Sequence, residues 1–272
     1  MILWIASYPK SGNTWVRALI STYLYSKDSN FKFELLNKIP KFIQEKHFSS
    51  ICNLDEFKKN PLKISEYWQA AQSRINLANE TIFLKTHNAC AAYNNHWFTE
   101  DYNTIGYIYI VRDPRAVVCS KAHHTGLSIE QSVASLLNEN EIGFNGPYKL
   151  AEMPGSWRVN YASWKKKKNF NGIIIKYEDL VDNTEKEFKK ILFFLKEKIN
   201  INIEQEKISK SVISCQFSNL RKMEDEKGFV EKTNSKFFRK GTKDSWKNDL
   251  DQNLRKKIEE NFKSEMIELG YL

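Results

Sequence analysis

The chain has 272 residues, with 42 Lys+Arg against 33 Asp+Glu and a formal charge of +9. That length suffices for one large domain with a well-buried core, and 41% apolar residues with 13% aromatics exclude a generally disordered chain. No apolar run approaches the ~18–20 residues that span a bilayer, so no membrane span is expected. The apolar stretch at 2–6 is too short for a secretory signal and has no basic residues before it. Cys52, Cys90, Cys119 and Cys215 have neither zinc-site nor disulfide-framework spacing. A cytoplasmic, reducing location is therefore expected. The positive balance points to an anionic ligand without saying which.

Taken in chain order, residues 2–7 (ILWIAS) form a nearly continuous apolar run, followed by a helical segment at 14–26. Helical spacing at 64–78 precedes a second run at 81–85. A third run at 105–111 leads into a helix at 114–124, with Asp113 as its N-cap and Pro114 as its first residue, and a further helix at 128–137. A fourth run at 172–177 leads into a helix at 178–196, and 254–269 closes the chain with Leu254, Ile258, Phe262 and Met266 at steps of four. Runs that are apolar throughout, rather than alternating, predict strands buried on both faces. With helices between them, this is the α/β class: a P-loop-like parallel sheet flanked by helices, in a single domain spanning 1–272. Helical additions are expected at 28–78, 126–170 and 200–250, without a repeat or a linker that cuts the chain.

In such a sheet, ligands bind beyond the carboxyl ends of the strands. Each run here ends in polar, chemically useful residues. The first is followed by Tyr8-Pro9-Lys10-Ser11-Gly12-Asn13-Thr14-Trp15. Gly12 permits close backbone approach, Ser11 and Thr14 supply hydroxyls, Lys10 supplies a cation, and the helix starting near Asn13 supplies free N–H groups. These features make a phosphate cradle; the bland alternative is a strand–turn–helix with a polar cap. The lysine precedes the glycine, so the loop is not the GxxxxGK[ST] form. The second run ends in Lys85-Thr86-His87, where the two side chains at i and i+2 can face one way and the imidazole can take a proton. It can equally be a hydrogen-bonded surface histidine. Arg112 ends the third run and suits a bidentate phosphate contact or a carboxylate pair. Ser120 follows eight residues later, and Arg115 reads as a surface ion-pairing residue. His123 and His124 read as helix-end residues. No metal-ligand spacing is present, so no metal is expected. Phe237-Phe238-Arg239-Lys240-Gly241 is either a lid over an anion or a basic turn, and 165–168 reads as a solvated basic helix face.

Together, these segments resemble the cytosolic-type sulfotransferases that use 3′-phosphoadenosine 5′-phosphosulfate (PAPS), with a bacterial member expected. Residues 8–15 are similar to the YPKSGTTW loop and Leu84-Lys85-Thr86-His87 to the KTH segment. Arg112 through Ser120 is similar to the R-[ND]-P…S motif, Tyr177-Glu178-Asp179-Leu180 to YEDL, and Phe238-Arg239-Lys240-Gly241 with Trp246 to the RKG…W segment. The resemblance implies sulfuryl transfer from PAPS to a hydroxyl or amine of a small-molecule acceptor by in-line displacement. It implies that Lys10, Ser11, Gly12, Asn13 and Thr14 hold the 5′-phosphosulfate, with Lys10 supporting the leaving oxygen. Lys85 would contact the sulfuryl oxygens and His87 would be the general base. Arg112, Ser120, Arg239, Lys240 and Gly241 would bind the 3′-phosphate, while Trp15 and Phe217 would enclose the adenine with Tyr177 at its edge.

The stretches at 28–80 and 126–155 match poorly and read as variable helical insertions. Tyr93, His96, Trp97 and Phe98, with residues of 126–155, either line an aromatic acceptor pocket or simply pack the surface helix there. The sequence departs from the family pattern at Asn13, at Asn88-Ala89 after the histidine, and at the missing second glycine after Gly241. The dimer motif of some animal members is not kept. Two other readings stand beside this one. A P-loop-type kinase of a nucleoside or small alcohol would need Asp113 or Asp179 as a magnesium ligand. A basic non-catalytic nucleotide- or nucleic-acid-binding protein would also explain the charge.

Overall fold

A computed structural model describes residues 1–167, 169–231, 236–238 and 241–272. Four parallel strands form the central sheet: β1 Ile2–Ser7, β2 Ile82–Thr86, β3 Thr104–Val111 and β4 Gly172–Lys176, in the order β2-β1-β3-β4. All six residues of β1 are buried. Successive side chains of a strand point to opposite faces, and the two cores divide accordingly. Ile2, Trp4 and Ala6 join Tyr107, Tyr109 and Val111 in one cluster. Leu3 and Ile5 join Ile108 and Ile110 in the other. This is why the runs are continuously apolar.

Helix α1 (Asn13–Tyr25) follows β1 and α2 (Trp68–Asn76) precedes β2. Helices α3 (Pro114–Thr125) and α4 (Ile129–Leu137) follow β3, and α5 (Trp157–Lys165) precedes β4. After β4 come α6 (Tyr177–Asp182), α7 (Thr184–Lys198), α8 (Gln205–Ser214) and α9 (Phe217–Lys227). The chain closes with α10 (Trp246–Asp249), α11 (Gln252–Asn261) and α12 (Lys263–Glu268). Three expected helices are broken. The one at 64–78 opens as a 3₁₀ segment, Pro61–Tyr67. The one at 178–196 is interrupted at Asn183, whose side chain accepts from the Lys186 N–H and so starts a new helix. The last is interrupted at Phe262.

The sheet order places β1 beside β3 while β2 lies on the other side of β1, so the connections leave in opposite directions. That switch point opens a crevice beyond the carboxyl ends of β1 and β3. Residues 40–42 extend the edge beside β2. Lys85 donates its N–H to the Pro40 carbonyl (2.8 Å), and its own carbonyl accepts from Phe42 (2.9 Å).

Arg115 is not the surface residue that its composition suggests. It is buried, donates to both oxygens of Asp113, pairs with Glu259 and lies 4.0 Å over the Trp246 ring. Asp113 also caps α3 by accepting from the Arg115 N–H at 2.9 Å. Lys167, in the basic stretch expected to be solvated, instead lies 4.4 Å over the Trp97 ring and 3.7 Å from Glu100; Lys168 lies outside the described residues. Removing one partner of a buried charge leaves that charge less well compensated, here with Glu259 alone. Asp113→Ala should therefore cost about 3 kcal/mol of stability, and Asp113→Asn, which still accepts at the cap, should cost less. Denaturant unfolding checks the order, and equal stability of all three proteins contradicts it.

Candidate anion-binding active site

Beyond the strand ends lies a cleft of about 780 Å³. Its floor is the loop after β1. Lys10 (φ 68) and Gly12 (φ 99) both take the left-handed conformation, which turns the chain back into α1. A Cβ on Gly12 would lie 2.5 Å from Tyr177 Cδ2, so the position excludes any other residue. Gly12 caps α1 without a side-chain acceptor, which leaves the first-turn N–H groups and the positive helix end to the cleft. Lys10, Gly12, Asn13 and Thr14 line it. Ser11 is buried behind this surface and its Oγ has no partner. The Asn13 amide is spent on the fold, donating to the Ile5 carbonyl (3.0 Å) and to Ser7 Oγ (3.3 Å). Its Oδ1 is buried and unpartnered but only accepts, so to an anion the residue offers its backbone N–H.

Lys85 and His87 line the same cleft. His87 Nδ1 lies 2.8 Å from the Ser7 carbonyl. A carbonyl only accepts, so Nδ1 carries the proton and Nε2 is left as an acceptor. Burial, then the Lys85 charge, pushes the imidazole down to about 3. Glu152 supports this end, with Oε1 accepting from the His87 N–H (3.0 Å) and Oε2 pairing with Lys41 (2.7 Å). Burial alone would raise the Glu152 carboxyl, but Lys41 and His87 outweigh it and bring it to about 2.

Arg112, at the end of β3, donates to the Lys10 carbonyl (3.1 Å) and to the Thr242 carbonyl (3.4 Å). Its guanidinium lies 4.2 Å over the Tyr177 ring, and its buried Nε has no partner. Ser120, Trp15, Tyr177, Phe217 and Gly241 line the same cleft. The rings of Trp15 and Tyr177 are 5.9 Å apart, and the Trp15 indole donates to the Cys215 carbonyl at 2.9 Å. A Cβ on Gly241 (φ +62) would meet the Phe217 ring at 2.5 Å, so the glycine allows the chain to lie directly on that ring. Arg239 and Lys240 lie outside the described residues.

The cleft also holds residues that sequence reasoning missed. Arg17 lies one helical turn after Thr14, a spacing visible in the sequence. Lys41, Glu152 and Glu231 carried no signal, since each arrives from a distant segment. His123 and His124 end α3 as expected but also line the cleft. Conversely, Tyr93, His96, Trp97 and Phe98 do not line it, which sets aside the aromatic-pocket reading in favour of packing. Residues 93 and 96–97 belong to a small hairpin, and Phe98 is buried against Trp4 and Trp68. Neither proposed magnesium ligand serves the cleft: Asp113 is committed to Arg115, and Asp179 does not line it. Among the described residues no cluster of His, Cys, Asp and Glu could hold a metal, and no helix is long and apolar enough to cross a membrane.

The sequence model of the sulfotransferase domain matches residues 2–270. Cytosolic sulfotransferase 15 of Arabidopsis thaliana is 26% identical over 261 residues, covering 90% of this chain and 66% of that protein. Sulfotransferase 1B1 of Canis lupus familiaris is 25% identical over 268 residues, covering 96% of this chain and 82% of that protein. Retinol dehydratase, in complex with androsterone and the inactive cofactor PAP, superposes with a TM-score of 0.63 at 20% identity, over 97% of this chain and 80% of that one. Mouse sulfotransferase SULT7A1 complexed with PAP gives 0.59 at 19% identity, over 97% and 83%. The structural likeness is one of fold, and it bears out the parallel sheet flanked by helices.

The cations of the cleft crowd one another. Burial, then Lys85, brings Lys10 down to about 7. Burial brings Lys85 to about 8, with Glu231 opposing the fall and Arg17 adding to it. An anion favours the charged ammonium, so binding weakens once pH exceeds these values and a proton must be taken up. Inorganic sulfate should stabilise the protein more at about pH 6 than at about pH 9. Thermal unfolding with and without sulfate reads this directly, and equal shifts at both pH values contradict it.

Proposed function

The chain belongs to the sulfotransferase domain family, and on that premise we propose that it moves a sulfuryl group from PAPS to a hydroxyl or amine of a small-molecule acceptor. The observation that carries this reading is the single cleft shared by Lys10, Lys85 and an imidazole whose Nε2 is left unprotonated by the Ser7 carbonyl. The two solved relatives hold PAP, the product such a donor leaves. The cleft suits a group anionic at both ends. Ser11 Oγ and Arg112 Nε are buried and unpartnered, and the turn at Gly12 admits no side chain.

In this reading the N–H groups of 12–14, the Thr14 hydroxyl and Lys10 hold the 5′-phosphosulfate, with Ser11 behind them. Arg112, Ser120 and the backbone at Gly241 meet the 3′-phosphate. The roles that the resemblance gives Arg239 and Lys240 rest on the sequence alone. Trp15, Phe217 and Tyr177 enclose the adenine. The donor supplies the sulfuryl group. His87 takes the acceptor's proton at Nε2 as the acceptor oxygen or nitrogen bonds to sulfur, and releases it to water afterwards. Lys85 faces the sulfuryl oxygens. Lys10 meets the charge that grows on the phosphate oxygen as its bond to sulfur breaks. A sulfuryl group bears less negative charge than a phosphoryl group, so lysines and helix N–H groups can supply this electrostatic work. Negative charge brought into the cleft also raises the proton affinity of His87 from its low value.

Binding and chemistry are tested separately. 3′-Phosphoadenosine 5′-phosphate should raise the unfolding temperature, by the equivalent of ~2.7 kcal/mol at a hundred times its Kd, whereas ATP with magnesium should not. The reverse pattern favours a kinase. His87→Ala should lower turnover by roughly 10²–10⁴-fold while calorimetry finds bisphosphate affinity nearly unchanged. Undiminished turnover removes His87 from the base role.

A further inference from the structure

Arg17 is a buried cation of the cleft that neither the strand-end motifs nor the family resemblance assigns. Its Nε donates to the Ile39 carbonyl (3.0 Å) and its Nη2 to the Leu36 carbonyl (3.1 Å), which fixes the guanidinium plane. The remaining Nη1 donates to Glu231 Oε1 at 2.7 Å. The other oxygen of that carboxylate accepts from Thr14 Oγ1 at 2.9 Å and lies 3.9 Å from Lys85 Nζ. One carboxylate is thus gripped by a guanidinium, a hydroxyl and an ammonium. Two of these, Thr14 and Lys85, are groups proposed above for the donor's phosphosulfate.

The grip is strong but Glu231 is weakly tied to the fold. Val230 beside it is 92% exposed. Gly228, at φ +71, has open space where a side chain would be. Among the described residues, the anchors of this segment are buried Phe229 before Glu231 and, after it, the Phe237 and Phe238 N–H groups donating to Glu224. On the N-terminal side, therefore, no packed side chain next to Glu231 holds the carboxylate in place.

We propose that Arg17, Thr14 and Lys85 form an oxyanion subsite and that Glu231 is its displaceable resident, giving way to an oxyanion of the donor or to the acid group of an acceptor. Carboxylate, sulfuryl and phosphate oxygens make the same charge-assisted hydrogen bonds to these groups. An internal carboxylate keeps the buried Arg17 compensated when no ligand is bound, and its return helps expel the product. The acceptor source is reasonable because the adjoining wall is polar and basic, with Asn37, Lys41, Gln44 and Lys46. The inference rests on the proposed donor only for the identity of the anion.

The test is calorimetric, on the full chain as wild type, Glu231→Gln, Arg17→Ala/Glu231→Gln and Arg17→Lys/Glu231→Gln. The probes are 3′-phosphoadenosine 5′-phosphate and, with that ligand saturating, inorganic sulfate. If the donor's 5′-phosphate displaces Glu231, E231Q binds the bisphosphate roughly tenfold tighter, the equivalent of one charged hydrogen bond. The Ala double variant loses that gain and the Lys double variant keeps part of it. If the donor's sulfuryl oxygens, which the bisphosphate lacks, or the acceptor's acid group are the source, bisphosphate affinity is unchanged but the loaded E231Q protein binds sulfate about tenfold tighter, again only with Arg17 or Lys present. The proposal is overturned if neither probe gains on E231Q or if the Ala double variant keeps the gain. Should the Ala double variant fail to fold, the Lys one decides, because full retention of the gain without the guanidinium fork overturns the role of Arg17. Absence of bisphosphate binding in every protein, with sulfate still tighter on E231Q, removes the donor reading and leaves the subsite standing.

Discussion

The burial of Lys10 and Lys85 in one cleft, away from water, is the constraint on which the rest of the site depends. Burial disfavours the proton on both, and the Lys85 charge adds to the effect on Lys10. The fold accepts that cost by surrounding the pair with compensating groups: Glu231 on Arg17 and Thr14, and Glu152 on Lys41. A cleft tuned in this way gains most from an incoming anion, because the ligand relieves a repulsion already built into the protein.

The same burial sets the state of His87. Its ring is oriented by the Ser7 carbonyl, and Ser7 Oγ in turn accepts from the Asn13 amide. Asn13 therefore does more for the imidazole than for a phosphate, since it ties the loop after β1 to the end of that strand. Glu152 then links the His87 backbone to Lys41. Base, cradle and wall form one continuous network, so a change at one group is felt at the others.

Much of the site was legible in the chain before folding. In a parallel sheet every carboxyl end faces the same edge. Four apolar runs each followed by a cation, a hydroxyl or an imidazole therefore predicted that Lys10, Lys85, His87 and Arg112 would meet. The glycine in the first loop was equally readable, because only a residue without a Cβ tolerates that turn against Tyr177. Less readable were the helix boundaries. Asn183 accepts an N–H that an uninterrupted helix would have bonded internally, and nothing in the apolar spacing reports such a local competition.

The sequence by itself determined the alternation of strand and helix, the burial of the strands on both faces and the identity of the groups at the strand ends. These follow from local periodicity and from the geometry of one turn. The tertiary structure alone decided that Arg115 goes inside under Trp246, that the aromatics at 93–98 serve a hairpin and the core rather than the cleft, and that Glu152 and Glu231 come to the cations. Those outcomes join residues dozens to hundreds of positions apart. They depend on which charges can be buried together, a balance that no local pattern of residues encodes.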